Sequence, residues 1–133
     1  MRNRKSLILS AAAMAGAMLM PAGAAHADAV ADFYKGKQLS FTHTGGPAGG
    51  FALYTRILAK HIVKHIPGNP TAVIQFKQGG GGMVGMNYLS MAAPRDGTYF
   101  LMPLPGVEAQ PFLYPTKVKF KLTDIHWIGN ILK

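Results

Sequence analysis

Residues 71–93 read TAVIQFKQGGGGMVGMNYLSMAA. The opening run is rich in β-branched residues and predicts a strand at 71–77. Four consecutive glycines follow at 79–82, and the remaining residues predict a helix over 82–93. Two interpretations of this loop are open at this point. It is either a flexible spacer between strand and helix, or a cradle of backbone N–H groups that holds an anion.

An earlier segment repeats the same order. Residues 38–43 (QLSFTH) predict a first strand, 44–50 form a turn-rich loop, and apolar residues at helical spacing predict a helix over 51–66. Further strands are predicted at 98–103 and at 125–132. Strand, glycine-rich loop and helix in repeated succession predict an α/β fold with a parallel sheet and right-handed crossovers.

The amino-terminal residues have the three regions of a secretory signal peptide. Three basic residues occur within the first five positions, an uncharged apolar run covers 7–20, and 25–27 (AHA) form a small-x-small cleavage site. The apolar run of 14 residues is shorter than the roughly 20 that a membrane-spanning helix needs. We therefore expect a signal peptide at 1–27, cleavage after Ala27, and a mature chain in the periplasm.

The amino-acid composition and charge of the chain limit which kinds of partner it can bind. The 133 residues include 14 Lys and Arg against 5 Asp and Glu, a formal net charge of +9. Removal of the leader with its three basic residues leaves 11 basic and 5 acidic residues, a net charge of +6. These basic residues do not interleave with aromatic residues as in nucleic-acid modules, so we expect no nucleic-acid partner. The chain has no cysteine, so a hydrophobic core without disulfides must hold the fold.

Both glycine-rich loops are predicted to leave the carboxyl end of a strand and to enter a helix. Ligands of open parallel sheets bind at this edge. A helix N-terminus offers unpaired N–H groups and about half a positive charge, and glycine lets an anion approach the backbone without meeting a Cβ. The loops at 44–50 and 79–82 therefore predict a site for a carboxylate or phosphate.

The second loop also fits a dinucleotide-binding fingerprint. Gly80, Gly82 and Gly85 have the G-x-G-x-x-G spacing between a predicted strand and a helix. That fingerprint expects an acidic residue about twenty positions further on, at the end of the next strand. Asp96 comes too early and Glu108 lies beyond the strand. We therefore expect no dinucleotide and no other cofactor.

Catalytic and metal-binding patterns are weak. His61 and His65 share one helical face, but they lack the Glu of H-E-x-x-H and an evident third ligand, so no metal site is expected. Ser40 and Ser90 lack the strand-turn-helix elbow of a hydrolase nucleophile. His43 ends the first predicted strand, where a ligand contact or a structural role suits it better than that of a base. We expect the protein not to be an enzyme.

Several motifs, in order along the predicted mature chain, resemble one family. The chain is similar to the extracytoplasmic receptors of tripartite tricarboxylate transporters, the Bug-type receptors. The resemblance implies a periplasmic binding protein of type II, in which two α/β lobes close on a tricarboxylate, a dicarboxylate or an aromatic acid. It also implies the transporter's membrane subunits as partners and a monomeric full-length receptor. The segments that carry the likeness are DFYKGKQLSFTHTGGPAGGFALYTRILAKHIVKHIPGNP (32–70), VIQFKQGGGGMVGMNYL (73–89), AAPRDGT (92–98), LYP (113–115) and IHWIGNI (125–131).

The same resemblance implies which residues contact the ligand. Two turns are expected to grip the carboxylate through backbone N–H groups and ordered water. They are Pro47, Ala48, Gly49, Gly50 and Phe51 in the first loop, and Gly79, Gly80, Gly81 and Gly82 in the second.

The chain departs from the family pattern at several places. Ala52 occupies the position of an Asp that would cap the helix, Gln78 replaces a usual proline, and Gly82 replaces a larger residue. Family members are also much longer. We therefore expect 28–133 to be part of the first lobe, with the second lobe missing. The alternative is a truncated orphan lobe or interaction module without a transport function.

Overall fold

The computed structural model of the protein describes residues 24–131. Three parallel strands form a sheet in the order β2-β1-β3, which confirms the predicted α/β class. The strands are β1 (Gln38–His43), β2 (Thr71–Phe76) and β3 (Tyr99–Met102). The helices are α1 (Ala24–Tyr34), α2 (Gly50–Ile62), α3 (Met83–Met91) and α4 (Gln110–Leu113), with short 3-10 turns at Val63–His65, Gly80–Gly82, Val107–Ala109 and Leu122–Asp124.

The carboxyl ends of the three strands lie level with one another. His43, the last residue of β1, pairs with Phe76 on one side and with Met102 on the other. The pairing continues one residue further, because Lys77 N–H donates to His43 O over 2.9 Å and Thr44 N–H donates to Met102 O over 3.2 Å. The loops that follow all three strands therefore start from one edge of the sheet.

The core is built on both faces of this small sheet. Alternation along β1 places Leu39 and Phe41 on the face covered by α2, where they pack with Ala59. The rings of Phe41 and Phe100 stack with centroids 5.0 Å apart across β1 and β3. A second cluster joins α3 to the chain after β3 through Met86, Val107 and Phe120. Burial of each large side chain contributes about 1.5–3 kcal/mol.

The prediction of a fourth strand at 125–132 is wrong for the residues that the structure describes. Residues 125–131 have no strand geometry, and position 132 lies outside the described range. A β-strand is defined by its backbone hydrogen bonds to a neighbouring strand. No segment of the described chain pairs in this way with the outer edge of β3. The segment lies instead along a groove beside that edge, where the Trp127 indole N–H donates to Leu122 O over 3.2 Å.

Most of the predicted leader lies outside the described residues. The structure describes it only from Ala24, where α1 begins, so this helix runs through the predicted cleavage position after Ala27. Tyr34, at the end of α1, packs on the cluster under α2, and its hydroxyl donates to Gly97 O over 3.3 Å. Within residues 24–131, no helix has the length and apolar character needed to cross a bilayer.

Candidate functional site

Thr44 lies where the loops after the three strands meet. It is fully buried, and its Oγ1 accepts a 2.8 Å hydrogen bond from Leu104 N–H in the loop after β3. A Cβ placed on Gly82 would lie 2.9 Å from the same oxygen. The first two loops also lie close together, since a Cβ on Gly46 would lie 3.0 Å from Gln78 Oε1. The fold thus brings both predicted glycine loops to one place.

The loop after β1 leads into α2 without a side-chain cap. Gly49 is the N-cap residue with φ 96°, and the first turn of the helix has no acidic residue. The first helical hydrogen bond runs from Leu53 N–H to Gly49 O over 3.2 Å, so the three preceding N–H groups have no acceptor in the helix. Arg56 Nη2 donates to Pro47 O over 2.8 Å and holds the loop from the outer side. The start of α2 therefore has no capping side chain and no acidic residue in its first turn, and Gly49 and Gly50 at its tip are exposed.

The four consecutive glycines form a left-handed turn. Gly79, Gly80, Gly81 and Gly82 have φ values of 133°, 56°, 63° and 100°. Glycine enters this region at the lowest cost, so the backbone path strongly favours glycine at all four positions. Gly82 N–H donates to Gly79 O over 3.0 Å, and Gly82 caps α3 with no side-chain bond and no acidic residue in the first turn. These residues have defined turn geometry, which favours the cradle over the flexible spacer.

Gln110, which no sequence pattern marked, holds this turn. Its side chain is 6% exposed, and Nε2 donates to Gly80 O over 3.0 Å and to Gly81 O over 2.7 Å. The amide comes from α4, some thirty residues further along the chain. A glutamine in a short apolar segment has no recognisable signal, so only the tertiary structure identifies its role.

Two cavities border this edge of the sheet, and neither is lined by residues of both glycine loops. A cavity of about 500 Å³ is lined by Gly80 and Gly81 together with Gln110 and Lys117. A larger groove of about 1230 Å³ follows the outer edge of β3 and includes Phe51. Neither lining includes Pro47, Ala48, Gly49, Gly50, Gly79 or Gly82.

The three departures from the family pattern have structural consequences. Ala52 is fully buried at the third position of α2, so it faces the core and not the loop. Gln78 is exposed beside Gly46. Gly82 is buried against Thr44 with positive φ, so a larger residue there would meet both a steric and a backbone obstacle.

Of the three histidines considered as candidates, His43 has a structural role, whereas His61 and His65 lie on the surface. His43 is 2% exposed and donates from Nδ1 to Met102 O over 3.1 Å, which ties the ends of β1 and β3 together. Its ring stacks on Phe51 with centroids 6.4 Å apart. His61 and His65 are exposed near the end of α2. Within residues 24–131, no group of three or more His, Cys, Asp or Glu side chains could hold a metal ion.

Two ionisable groups have pKa values that depart from the ordinary ones, and both groups lie away from the glycine loops. The Thr98 hydroxyl and then the Thr98 N–H bond Asp96 and lower the pKa of its carboxyl below 3.8. Burial raises the pKa of Tyr99 above its ordinary 10.0. The Tyr99 hydroxyl and Thr42 Oγ1 are both buried. Neither group borders the turn of Gly79–Gly82.

Comparison of the chain with protein-family models, with curated proteins and with solved structures gave no match. A function must therefore be argued from the residues and from the geometry of this edge of the sheet.

Proposed function

We propose that the chain is the first lobe of an extracytoplasmic solute receptor. It would bind a small carboxylate and present it to the membrane subunits of a tripartite tricarboxylate transporter. One observation carries the proposal: α2 and α3 begin at the same edge of a parallel sheet, both with a glycine N-cap, no capping side chain and no acidic residue in the first turn. The dipoles of two helices that begin at one edge favour a negative ligand there. The N–H groups free to bind it belong to the start of α2 and to the glycine turn, because the N–H groups of Gly82, Met83 and Val84 already donate to Gly79 O and Gly80 O.

Gly50 adds an independent argument. Its φ is not positive, and apart from its chain neighbours and the backbone of its own helix, no atom of the described residues lies within 4 Å of a Cβ built there. The fold therefore does not require glycine at this position, unlike at Gly49. A bare Cα at the first position of α2 does, however, leave room for an anion to reach the N–H groups of Gly50 and Phe51 at the tip of the helix. Each charge-assisted hydrogen bond to them would contribute about 1.5–3 kcal/mol.

The sequence resemblance supports the finer parts of the proposal. It supplies the type II two-lobe architecture, export through the predicted leader, and the ligand class of tricarboxylates, dicarboxylates or aromatic acids. In that arrangement a second lobe closes on the ligand and excludes water. The proposed role is binding without catalysis and without a cofactor.

A thermal-shift and calorimetry series with citrate and succinate tests the proposal. A single lobe is expected to bind weakly, with a dissociation constant of about 1 mM. At a ligand concentration ten times this dissociation constant, binding stabilises the fold by about 1.4 kcal/mol. This stabilisation corresponds to a rise in Tm of roughly 6–11 °C. Gly50→Asp should abolish the shift, because it fills the space beside the helix start and adds charge repulsion. The isosteric but neutral Gly50→Asn fills the same space without the charge and should reduce the shift only in part.

An equal response of the two Gly50 variants to citrate would contradict this placement of the site. Absence of any shift with either carboxylate at millimolar concentrations would contradict the receptor function itself. Sodium chloride at matched ionic strength controls for the general effect of salt on a basic protein.

One observation favours the second candidate, an interaction module. The outer edge of β3 is unpaired among the described residues, and the groove beside it is flanked by exposed Tyr54, Trp127 and Ile128. Unprotected edge strands pair readily with other chains. Concentration-dependent association without a carboxylate response would favour this candidate over the receptor.

A further inference from the structure

The Gln110 amide is placed so that it fixes the direction of the glycine turn. Nε2 lies 3.0 Å from Gly80 O and 2.7 Å from Gly81 O, and one donor group thus holds two consecutive carbonyls. The opposite amide orientation would set Oε1 against both carbonyl oxygens, so hydrogen bonding assigns Nε2 to this side. A Cβ on Gly81 would lie 3.1 Å from Nε2, which shows how closely the amide approaches the turn.

Peptide geometry transmits this contact to the N–H groups. In a planar trans peptide the N–H points opposite to the carbonyl of the preceding residue. With Gly80 O turned toward Gln110, the Gly81 N–H points away from Gln110. The Gly82 N–H is used within the turn by Gly79 O at 3.0 Å. The Gly81 N–H precedes the first hydrogen bond of the turn and has no acceptor within it.

Gln110 keeps this position at an energetic cost. Its Oε1 is buried without a hydrogen-bond partner among the described residues. An unsatisfied buried acceptor is unfavourable, and an apolar side chain of similar length would avoid it. Stability alone therefore gives a weak reason for an amide at this position, whereas control of the turn gives a direct one.

We infer that Gln110 is a positioning residue that directs the Gly81 N–H into the anion cradle. The assignment of a ligand to that N–H rests on the proposed function, but the control of the turn does not. The two parts can therefore fail separately.

Amide relaxation of the ¹⁵N-labelled protein tests the control of the turn. In the wild type, Gly80 and Gly81 should have order parameters near 0.85, as in a rigid backbone. Gln110→Met keeps the length of the side chain but removes the donor, so these values should fall below about 0.6 while the strand amides stay rigid. Gln75→Met, the same change on β2, should leave the turn unaffected. Unchanged order parameters in Gln110→Met would overturn the inference.

Gln110→Glu adds a readout that a merely structural role would not move. A protonated carboxyl can donate to one of the two carbonyls, whereas a carboxylate can only repel them. The Gly81 amide signal should therefore approach its wild-type position on acidification and move away from it at neutral pH. A Gly81 signal that is wild-type-like at both pH values would overturn the inference, even if Gln110→Met fails to fold.

Citrate calorimetry tests the ligand part. Gln110→Met should weaken citrate binding at least tenfold relative to Gln75→Met. An unchanged citrate affinity with a loosened turn would refute the role of Gly81 N–H in the cradle. If the wild type did not bind citrate, the proposed function would be refuted. The control of the turn by Gln110 would then be decided by the relaxation data alone.

Discussion

Gly85 lies so close to Thr44 that a Cβ placed on it would be 2.6 Å from Thr44 Cγ2. The same Cβ would lie 3.2 Å from Lys77 O. Thr44 in turn bonds Leu104, so this approach joins α3 to the ends of β1 and β3. Glycine at 85 thus serves close helix–sheet packing, which is how the third glycine of a G-x-G-x-x-G pattern is used in general.

We expect Gly85→Ala to destabilise the protein by about 1–3 kcal/mol, because the added methyl overpacks this contact. Thr44→Ser removes Cγ2 but keeps the hydroxyl that accepts from Leu104. The double variant should recover part of the loss, with a coupling energy of about 0.5–3 kcal/mol in a urea-unfolding cycle. If the effects of the two changes on the free energy of unfolding were strictly additive, Thr44 Cγ2 would not be the group that limits how closely Gly85 approaches the sheet.

The adjacent glycines at the start of α2 should respond in opposite ways. Gly49 has φ 96° and ψ 174°, a region that other residues avoid, so Gly49→Ala should cost about 1–3 kcal/mol. Gly50 has helical geometry and open space, so Gly50→Ala should stabilise the fold by about 0.4–1 kcal/mol. Thermal unfolding of the two variants checks this, and a stabilising Gly49→Ala would contradict the assigned turn geometry.

Ala52→Asp should destabilise the protein, contrary to the role that the family pattern gives an Asp at this position. In that pattern the carboxylate caps α2, but Ala52 is fully buried, so Asp would carry its charge into the core. We expect a loss of about 2 kcal/mol or more in the free energy of unfolding. Gly50→Asp provides the matched control, since the same side chain at the exposed first position should stabilise the helix by about 0.3–1 kcal/mol. Equal stability of both variants would refute the burial argument.

Acid stability should depend on Asp96. Its pKa is depressed in the folded state by hydrogen bonds from the Thr98 hydroxyl and N–H. A depressed carboxyl pKa stabilises the fold above the unfolded value of 3.8, and this contribution is lost as the pH falls through the lower folded value. Urea unfolding between pH 5 and pH 2 should therefore show a decline that is shallower in Asp96→Asn. An identical pH profile in the variant would show that the Thr98 bonds have no net effect.

Local sequence determined the repeated unit of the fold. The three strands begin and end within one residue of their predicted limits, α2 begins one residue before its predicted start, and α3 lies within its predicted range. Periodicity and β-branched content are properties of neighbouring residues, so they can be read from the chain directly. Gly68 and Asn69, both with positive φ, end the helical segment at the predicted stop for the same local reason.

The tertiary structure alone decided the rest of the candidate site, because that information comes from contacts between residues far apart in sequence. Gln110 reaches the glycine turn across 29 and 30 positions, and Leu104 reaches Thr44 across 60. The burial of Ala52 and the missing fourth strand depend on what packs or pairs beside them. The sequence could therefore determine which loops carry glycine, whereas the direction in which each loop presents its backbone was fixed only when distant side chains closed on it.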